Sequence, residues 1–223
     1  MGGSLIDKTK LAHNRQARAE HRTRILEAAR HCFQYQPLAS VSLERIGQRA
    51  GVREGLAAML FADLGELFLT VLKSESDDWY RALADELGAT DQRLTSAALA
   101  RLLAGSLRGR ESLARMLAIL PVMLEQVVES PAALIFLRSH HDWVERVGAA
   151  IEAHHPRLAS GDGGRLLGCL QAMAAGLEPA LRPLGVMGLG LGAVADGRQL
   201  DFHGELELML RRLLDGWAGV GGA

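Results

Sequence analysis

The sequence predicts an all-α protein in two parts, a small N-terminal helix-turn-helix unit and a larger helical body. Three observations carry this. Apolar residues recur every three or four positions along most of the chain, and no useful stretch alternates apolar and polar as a half-buried strand does. The segment Ser42 to Phe61, SLERIGQRAGVREGLAAMLF, divides into two short helical runs around Ala50-Gly51-Val52. Finally, the 223-residue chain has a formal net charge of −1, yet residues 1–60 hold ten Lys or Arg against five Asp or Glu. A basic piece on an acidic body points to a polyanionic partner for that piece alone.

Residues 1–17 are polar and are expected to be a flexible basic arm, with Lys8, Lys10 and Arg15, followed by Arg18. Such an arm either tracks phosphates or is an ordinary loose terminus. The helix-turn-helix domain is expected over 18–66 and the body over 67–223. The first helix spans about Ala19 to Tyr35, with Ile25, Leu26, Ala28, Ala29, Cys32 and Phe33 on one face and Arg22 ahead of it. Pro37 ends it. Ser42 fits the cap of the next helix, Leu43 to Ala50, and could also meet a phosphate. Gly47 inside that helix costs roughly 1 kcal/mol against Ala, which close approach of a crossing helix would explain. Gly51 suits the left-handed position after a helix end. A recognition helix is expected over Arg53 to Leu60.

The fourth helix is expected over Asp63 to Leu87, with Leu64, Leu67, Phe68, Val71, Leu72, Trp79, Leu83 and Leu87 at helical spacing. Further helices are expected over Thr95–Leu107, Glu111–Glu129 with Pro121 kinking or dividing it, Ser130 to about His155, Leu166–Leu181 and Glu205–Trp217. The glycine-rich stretch 185–197 is expected to be a loop.

Composition narrows the class. The chain is 48% hydrophobic and 23% charged, ordinary for a soluble globular protein. No apolar run reaches the ~18 residues of a membrane span. The start, MGGSLIDKTK, lacks the apolar stretch of a secretory signal, and Ile6 breaks a myristoylation pattern at Gly2. Cys32 and Cys169 have no CxxC spacing and read as reduced thiols of a cytoplasmic protein.

The spacing of Ile25, Leu26, Ala28, Ala29 and Phe33, then Ser42, Ile46, Ala50-Gly51-Val52, Gly55, Phe61 and Leu67, resembles the DNA-binding domain of the TetR family of transcriptional regulators. The match runs in register without insertions over about 45 residues. The chain departs from the family pattern at several places. The usual phosphate-binding Tyr falls at Ala58 and the usual Lys at Leu64; Arg53 and Glu54 replace a Ser or Thr and a basic residue, Gly47 replaces Ala, and Pro37 replaces Gly. Two backbone contacts of the family are therefore missing. Arg53 can clamp a guanine edge or a phosphate instead. Glu54 can accept from cytosine, pair with Arg53, or support the helix start.

The resemblance implies a homodimeric, ligand-responsive regulator, most naturally a repressor, on a near-palindromic double-stranded DNA operator. The DNA-contacting candidates are Arg22, Ser42, Arg53, Glu54, Gly55 and Met59. A small hydrophobic effector would sit in the body, where Met116, Leu120, Met123, His140, Trp143, Met173 and Leu177 could line a pocket or simply fill a core. The last two helices occupy the family's dimerisation position, with Leu166, Leu170, Leu206, Leu210, Leu213 and Trp217 as interface candidates. An alternative keeps the fold but has lost sequence-specific DNA reading, acting through a protein or ligand partner.

Other chemistry finds little support. The adjacent pairs His140-His141 and His154-His155 point about 100° apart on a helix, so neither pair chelates a metal. The string Gly190 to Ala195 fits a loose GxGxxA, but no strand precedes it. No nucleophile constellation is visible. Neither a cofactor nor enzyme activity is expected.

Overall fold

Between Ser4 and Gln36 the chain has neither Gly nor Pro, and strong helix formers dominate. The computed structural model of the protein, which describes residues 3–127, 129–181 and 201–217, accordingly shows one uninterrupted first helix, α1, over Gly3–Tyr35. This corrects the expectation of a flexible arm over residues 1–17: residues 3–17 are helical. The packed segment Ile25 to Phe33 supplies the costly nucleus, and propagation towards the N-terminus then needs no apolar face of its own.

After Pro37 comes a 3-10 turn at Leu38–Ser40, then α2 (Leu43–Arg49) and α3 (Leu56–Leu60). The helices α4 (Leu64–Gly88), α5 (Ser96–Gly105), α6 (Glu111–Val127), α7 (Pro131–His154), α8 (Asp162–Leu181) and α9 (Phe202–Trp217) follow. No strand occurs among the described residues. The glycine-rich stretch 185–197 and the GxGxxA string lie outside the described residues.

The chain divides into two compact units, the first ending at Val71 and the second starting at Leu72. The expected boundary at 66 falls five residues early. The reason is that Leu67, Phe68 and Val71 of α4 are buried in the first unit, where the Phe68 ring meets Phe33 edge-on at 5.1 Å. Ile25, Ala29, Cys32, Ile46 and Phe61 complete that core. The start of α4 carries reciprocal caps: Glu66 N–H donates to Asp63 Oδ1 at 2.7 Å, and Ala62 N–H donates to Glu66 Oε2 at 2.7 Å.

In the second unit α8 packs against α6, α7 and α9, and α9 packs against α5. Pro121 does not divide α6, which runs through it; its ring is exposed, so water can serve the carbonyl that loses a donor. Ser130 caps α7, accepting from Ala133 N–H at 3.1 Å, with Pro131 in the first turn as expected. The helix α8 begins four residues before the expected Leu166. Glu152 Oε1 accepts from both Gly161 N–H and Gly163 N–H at 2.8 Å, so a carboxylate from α7 holds the first turn of α8. There α7 and α8 touch backbone to backbone. A Cβ on Gly163 would lie 2.0 Å from the Gly148 carbonyl oxygen, and one on Gly148 would lie 2.7 Å from Gly164 N.

Candidate functional site

The first unit presents its helix-turn-helix through a short chain of local causes. Ser42 Oγ accepts from Arg45 N–H at 3.2 Å and starts α2. Gly51, at φ 61, closes α2, and the crossing helix comes close at Gly47, where a Cβ would meet Ala57 Cβ at 3.4 Å. Gly55 then stands at φ 76 as the cap of α3. A left-handed residue cannot continue a right-handed helix, and Gly adopts it without steric cost. The recognition helix is therefore shorter than expected: Arg53 and Glu54 lie in the turn before it, and only Leu56 to Leu60 are helical.

The side chains of this corner are well separated in role. Arg53 is exposed, with a guanidinium nitrogen 3.7 Å from Met59 Sδ, and Met59 is 66% exposed. A concavity of about 600 Å³ runs along α2 and α3, lined by Gln48, Val52, Arg53, Glu54, Gly55 and Ala58 among others. A second, of about 370 Å³, lies where Asn14, Ala17, Arg18 and His21 of α1 face Arg53, Leu56, Met59 and Leu60. The helical extension of α1 thus flanks this corner of the helix-turn-helix, and Arg18, Arg45, Arg49 and Arg53 are all exposed.

Two expected contacts fare differently. Arg22 donates to the Leu60 carbonyl oxygen at 3.4 Å and lies over the Phe61 ring at 4.3 Å. It is a half-buried tie between α1 and the end of α3 rather than an open cation, because the aromatic face and the unsatisfied carbonyl at a helix end both attract it. Glu54 makes no ion pair with Arg53 and caps no helix among the described residues, so it stands exposed beside the groove.

In the second unit, α4, α7 and α8 bring polar and aromatic groups together in the interior. Tyr80, fully buried, stacks on Trp143 with ring centres 6.0 Å apart. Its hydroxyl oxygen accepts from Gln171 Nε2 at 2.6 Å and lies 3.5 Å from His140 Nδ1. Burial pushes the Tyr80 pKa well up, so the hydroxyl stays protonated. Beside it Asp77 Oδ1 accepts from Ser139 Oγ at 2.9 Å and Trp143 Nε1 at 3.0 Å, while Oδ2 pairs with Lys73. Among the described residues no group of three His, Cys, Asp or Glu could hold a metal, and no helix is long and apolar enough to cross a membrane.

Residues 73–218, most of the chain, match the family model described as Tetracyclin repressor-like, C-terminal domain. The chain belongs to the TetR family. Solved structures bear out the fold. A candidate TetR-family transcriptional regulator from Mesorhizobium loti superposes with a TM-score of 0.53 at 16% identity, over 91% of this chain and 97% of that one. A candidate transcriptional regulator from Streptomyces coelicolor does so with a TM-score of 0.54 at 21% identity, over 87% and 98%. No curated protein sequence matches the chain.

With the TetR fold in hand, the expected sites of the second unit can be placed. His140 and Trp143 meet at the Tyr80 cluster, and Met173 and Leu177 are half-buried on α8, Leu120 on α6. Met116 and Met123 are fully buried on α6. The concavities described here are lined by none of these seven. Tyr80, Asp77 and Gln171 went unmarked in the sequence; the signal available was a run of acids ending at Trp79-Tyr80 inside an apolar stripe. The interface candidates need correction. Leu166, Leu170, Leu206 and Leu210 are 0% exposed in the single chain, so they have no surface left to bury against a second copy. The outer faces of the same helices carry Gly168, Ala172 and Gly176 on α8 and Leu208 and Met209 on α9, with Leu213 and Trp217 half-buried.

The His140 pKa lies below its ordinary 6.5, chiefly through burial and secondly through His141. The unfolded chain then takes up a proton at a higher pH than the folded one, so stability is full above 6.5 and falls as pH drops towards the lowered value. Thermal unfolding between about pH 7.5 and pH 5 is expected to show this loss, with a shallower slope in His140→Gln. Identical slopes in the two proteins would remove His140 from the account.

Proposed function

We propose that this chain is a homodimeric, ligand-responsive repressor that holds a near-palindromic double-stranded DNA operator and leaves it when a small hydrophobic effector enters the second unit. The observation that carries the DNA-reading part is the exposed pair Arg53 and Met59 at one corner of the helix-turn-helix. Arg suits a guanine edge, and an apolar side chain suits a thymine methyl. Ser42 with the first amides of α2, and the exposed Arg18, Arg45 and Arg49, suit phosphates. In a dimer two such corners enter successive major grooves about one helical turn apart.

The effector reading rests on the Tyr80 cluster. Trp143 and Tyr80 offer ring faces, Gln171 with His140 offers hydrogen bonds, and the half-buried Met173 and Leu177 lie on the same helix as Gln171. A mostly apolar ligand with one polar group fits that chemistry. It would act by preferring the state whose reading corners are misplaced, which makes effector and operator binding reciprocally antagonistic. For the dimer we take the exposed faces of α8 and α9. Ala172→Glu and Met209→Glu are expected to turn the dimer into a monomer in sedimentation, with little change in fold; a dimer that survives both would move the interface elsewhere.

Selection from random DNA at two salt concentrations tests the main reading. It should enrich a palindromic sequence whose affinity falls with salt in proportion to the phosphates contacted. A second reading, in which DNA reading has lapsed and a protein or ligand partner takes its place, is favoured by one observation. The recognition helix has five residues, with Ala58 and Leu64 where longer polar side chains would reach a backbone. Enrichment of no sequence would select it.

A further inference from the structure

We propose that Glu54 reads one base pair of each operator half-site by accepting a hydrogen bond from the N4 amino group of a cytosine, and so sets which sequence the protein prefers. This role rests on the DNA reading proposed for the helix-turn-helix. A glutamate just before a recognition helix has three uses: pairing with the neighbouring arginine, holding the helix start, or meeting a donor on the partner. The structure removes the first two. The Arg53 guanidinium lies 3.7 Å from Met59 Sδ, and no ion pair joins it to Glu54 among the described residues. The cap of α3 is Gly55 at φ 76, and the first turn of α3 holds no acid. Glu54 precedes that cap, outside the turn whose free amides a carboxylate stabilises. A helix starting at Arg53 would have put Glu54 within that turn.

What remains is the groove. Glu54 is exposed and lines the concavity along α2 and α3, with Glu44, Gln48 and Arg53 as further polar groups. Glu44 Oε1 accepts from Gln48 Nε2 at 3.2 Å, one turn along α2. Glu54 is thus the carboxylate left open in a groove that carries two acids and one arginine. That balance of charge disfavours a phosphate and favours N–H donors. In the major groove the donors are the amino groups of cytosine and adenine. Adenine sets its N7 acceptor beside the amino group, so a carboxylate there meets a lone pair as well as a donor; cytosine has no such neighbour and is selected. At a base edge that presents acceptors, the same charge is left unpaired and costs affinity. Glu54 therefore works as much by rejecting wrong sequences as by holding the right one. With Arg53, which suits guanine, it makes a consecutive pair of opposite charges able to read two bases of opposite hydrogen-bonding sense.

The test selects from random DNA with the full chain, with Glu54→Gln and with Glu54→Ala, then measures affinity for the selected sequences and their single-base-pair variants at one salt concentration. The unaltered chain should enrich a palindrome with a cytosine at one fixed place in each half-site, preferred about tenfold over the other bases. Glutamine presents one acceptor and one donor, the pattern that meets N6 and N7 of adenine. Glu54→Gln should therefore move the preference at that place from cytosine to adenine and leave the other places alone. Glu54→Ala should lose the preference there. Glu54 is exposed, so both variants should unfold at the temperature of the unaltered chain. Uniformly tighter binding in both variants with the cytosine preference intact overturns the proposal and leaves Glu54 as a charge that only repels phosphates. A consensus that neither variant changes overturns it too. Enrichment of no sequence by the unaltered chain overturns the DNA reading itself, and this role with it.

Discussion

Gly163→Ala is expected to destabilise the second unit by about 3 kcal/mol or more, at or beyond the upper end of ordinary overpacking. The added Cβ would stand 2.0 Å from the Gly148 carbonyl oxygen, 2.6 Å from its carbon and 2.8 Å from its Cα. All three are backbone atoms, so no side chain can swing aside; α7 and α8 must separate. The intrinsic helix preference for Ala over Gly, roughly 1 kcal/mol, works the other way and is too small to compensate. Separation would also pull Glu152 from the amides of Gly161 and Gly163. For a unit of this size the midpoint should fall by roughly 10 °C in thermal unfolding. Gly105→Ala is the control, since a Cβ there meets nothing within 4 Å; it should be neutral or slightly stabilising. A Gly163→Ala protein as stable as that control would refute the close crossing.

Arg53→Ala is expected to weaken operator binding by one to two orders of magnitude, the cost of ~1–3 kcal/mol usual for an arginine on a base edge. Thermal stability should hardly move, because Arg53 is exposed and its guanidinium makes only a long 3.7 Å contact with Met59 Sδ as its side-chain hydrogen bond among the described residues. Arg22→Ala should show the opposite balance, since its guanidinium lies on Phe61 and bonds the Leu60 carbonyl. The salt dependence separates two roles for Arg53. If it holds a phosphate, the slope of log affinity against log salt shrinks by about one; if it reads a base, the slope stays and preference at one base pair relaxes. Unchanged affinity at matched salt would remove Arg53 from the interface.

Much of the architecture was legible because local chemistry and tertiary structure agree. Ile25 to Phe33 show their buried face by period alone, Ser42 and Ser130 cap where a Ser before an apolar run should, and Ala50-Gly51 marks the turn. The misses have a common cause. Periodicity tells which residues share a face and is silent on what that face meets. Leu166, Leu170, Leu206 and Leu210 do form stripes, but the stripes face the chain's own core. Asp162-Gly-Gly reads as loop until Glu152, ten residues earlier, supplies the acceptor that makes it helical. The left-handed turn at Gly55 is invisible too, since Gly is permitted there and not required to take it. The site was less legible than the fold because it is built from contacts between distant positions, as Tyr80, His140 and Gln171 are.

The tie from Arg22 to Leu60 and Phe61 has a mechanical meaning. It ties α1 at Arg22 to the C-terminal end of α3, and α1 continues from there back to Gly3, roughly 28 Å at 1.5 Å per residue. A tilt of about 5° at the clamp carries the far tip through about 2.5 Å, close to the length of a hydrogen bond. Through that tie a small rotation of α3 would emerge at the tip as a displacement comparable to a hydrogen bond in length.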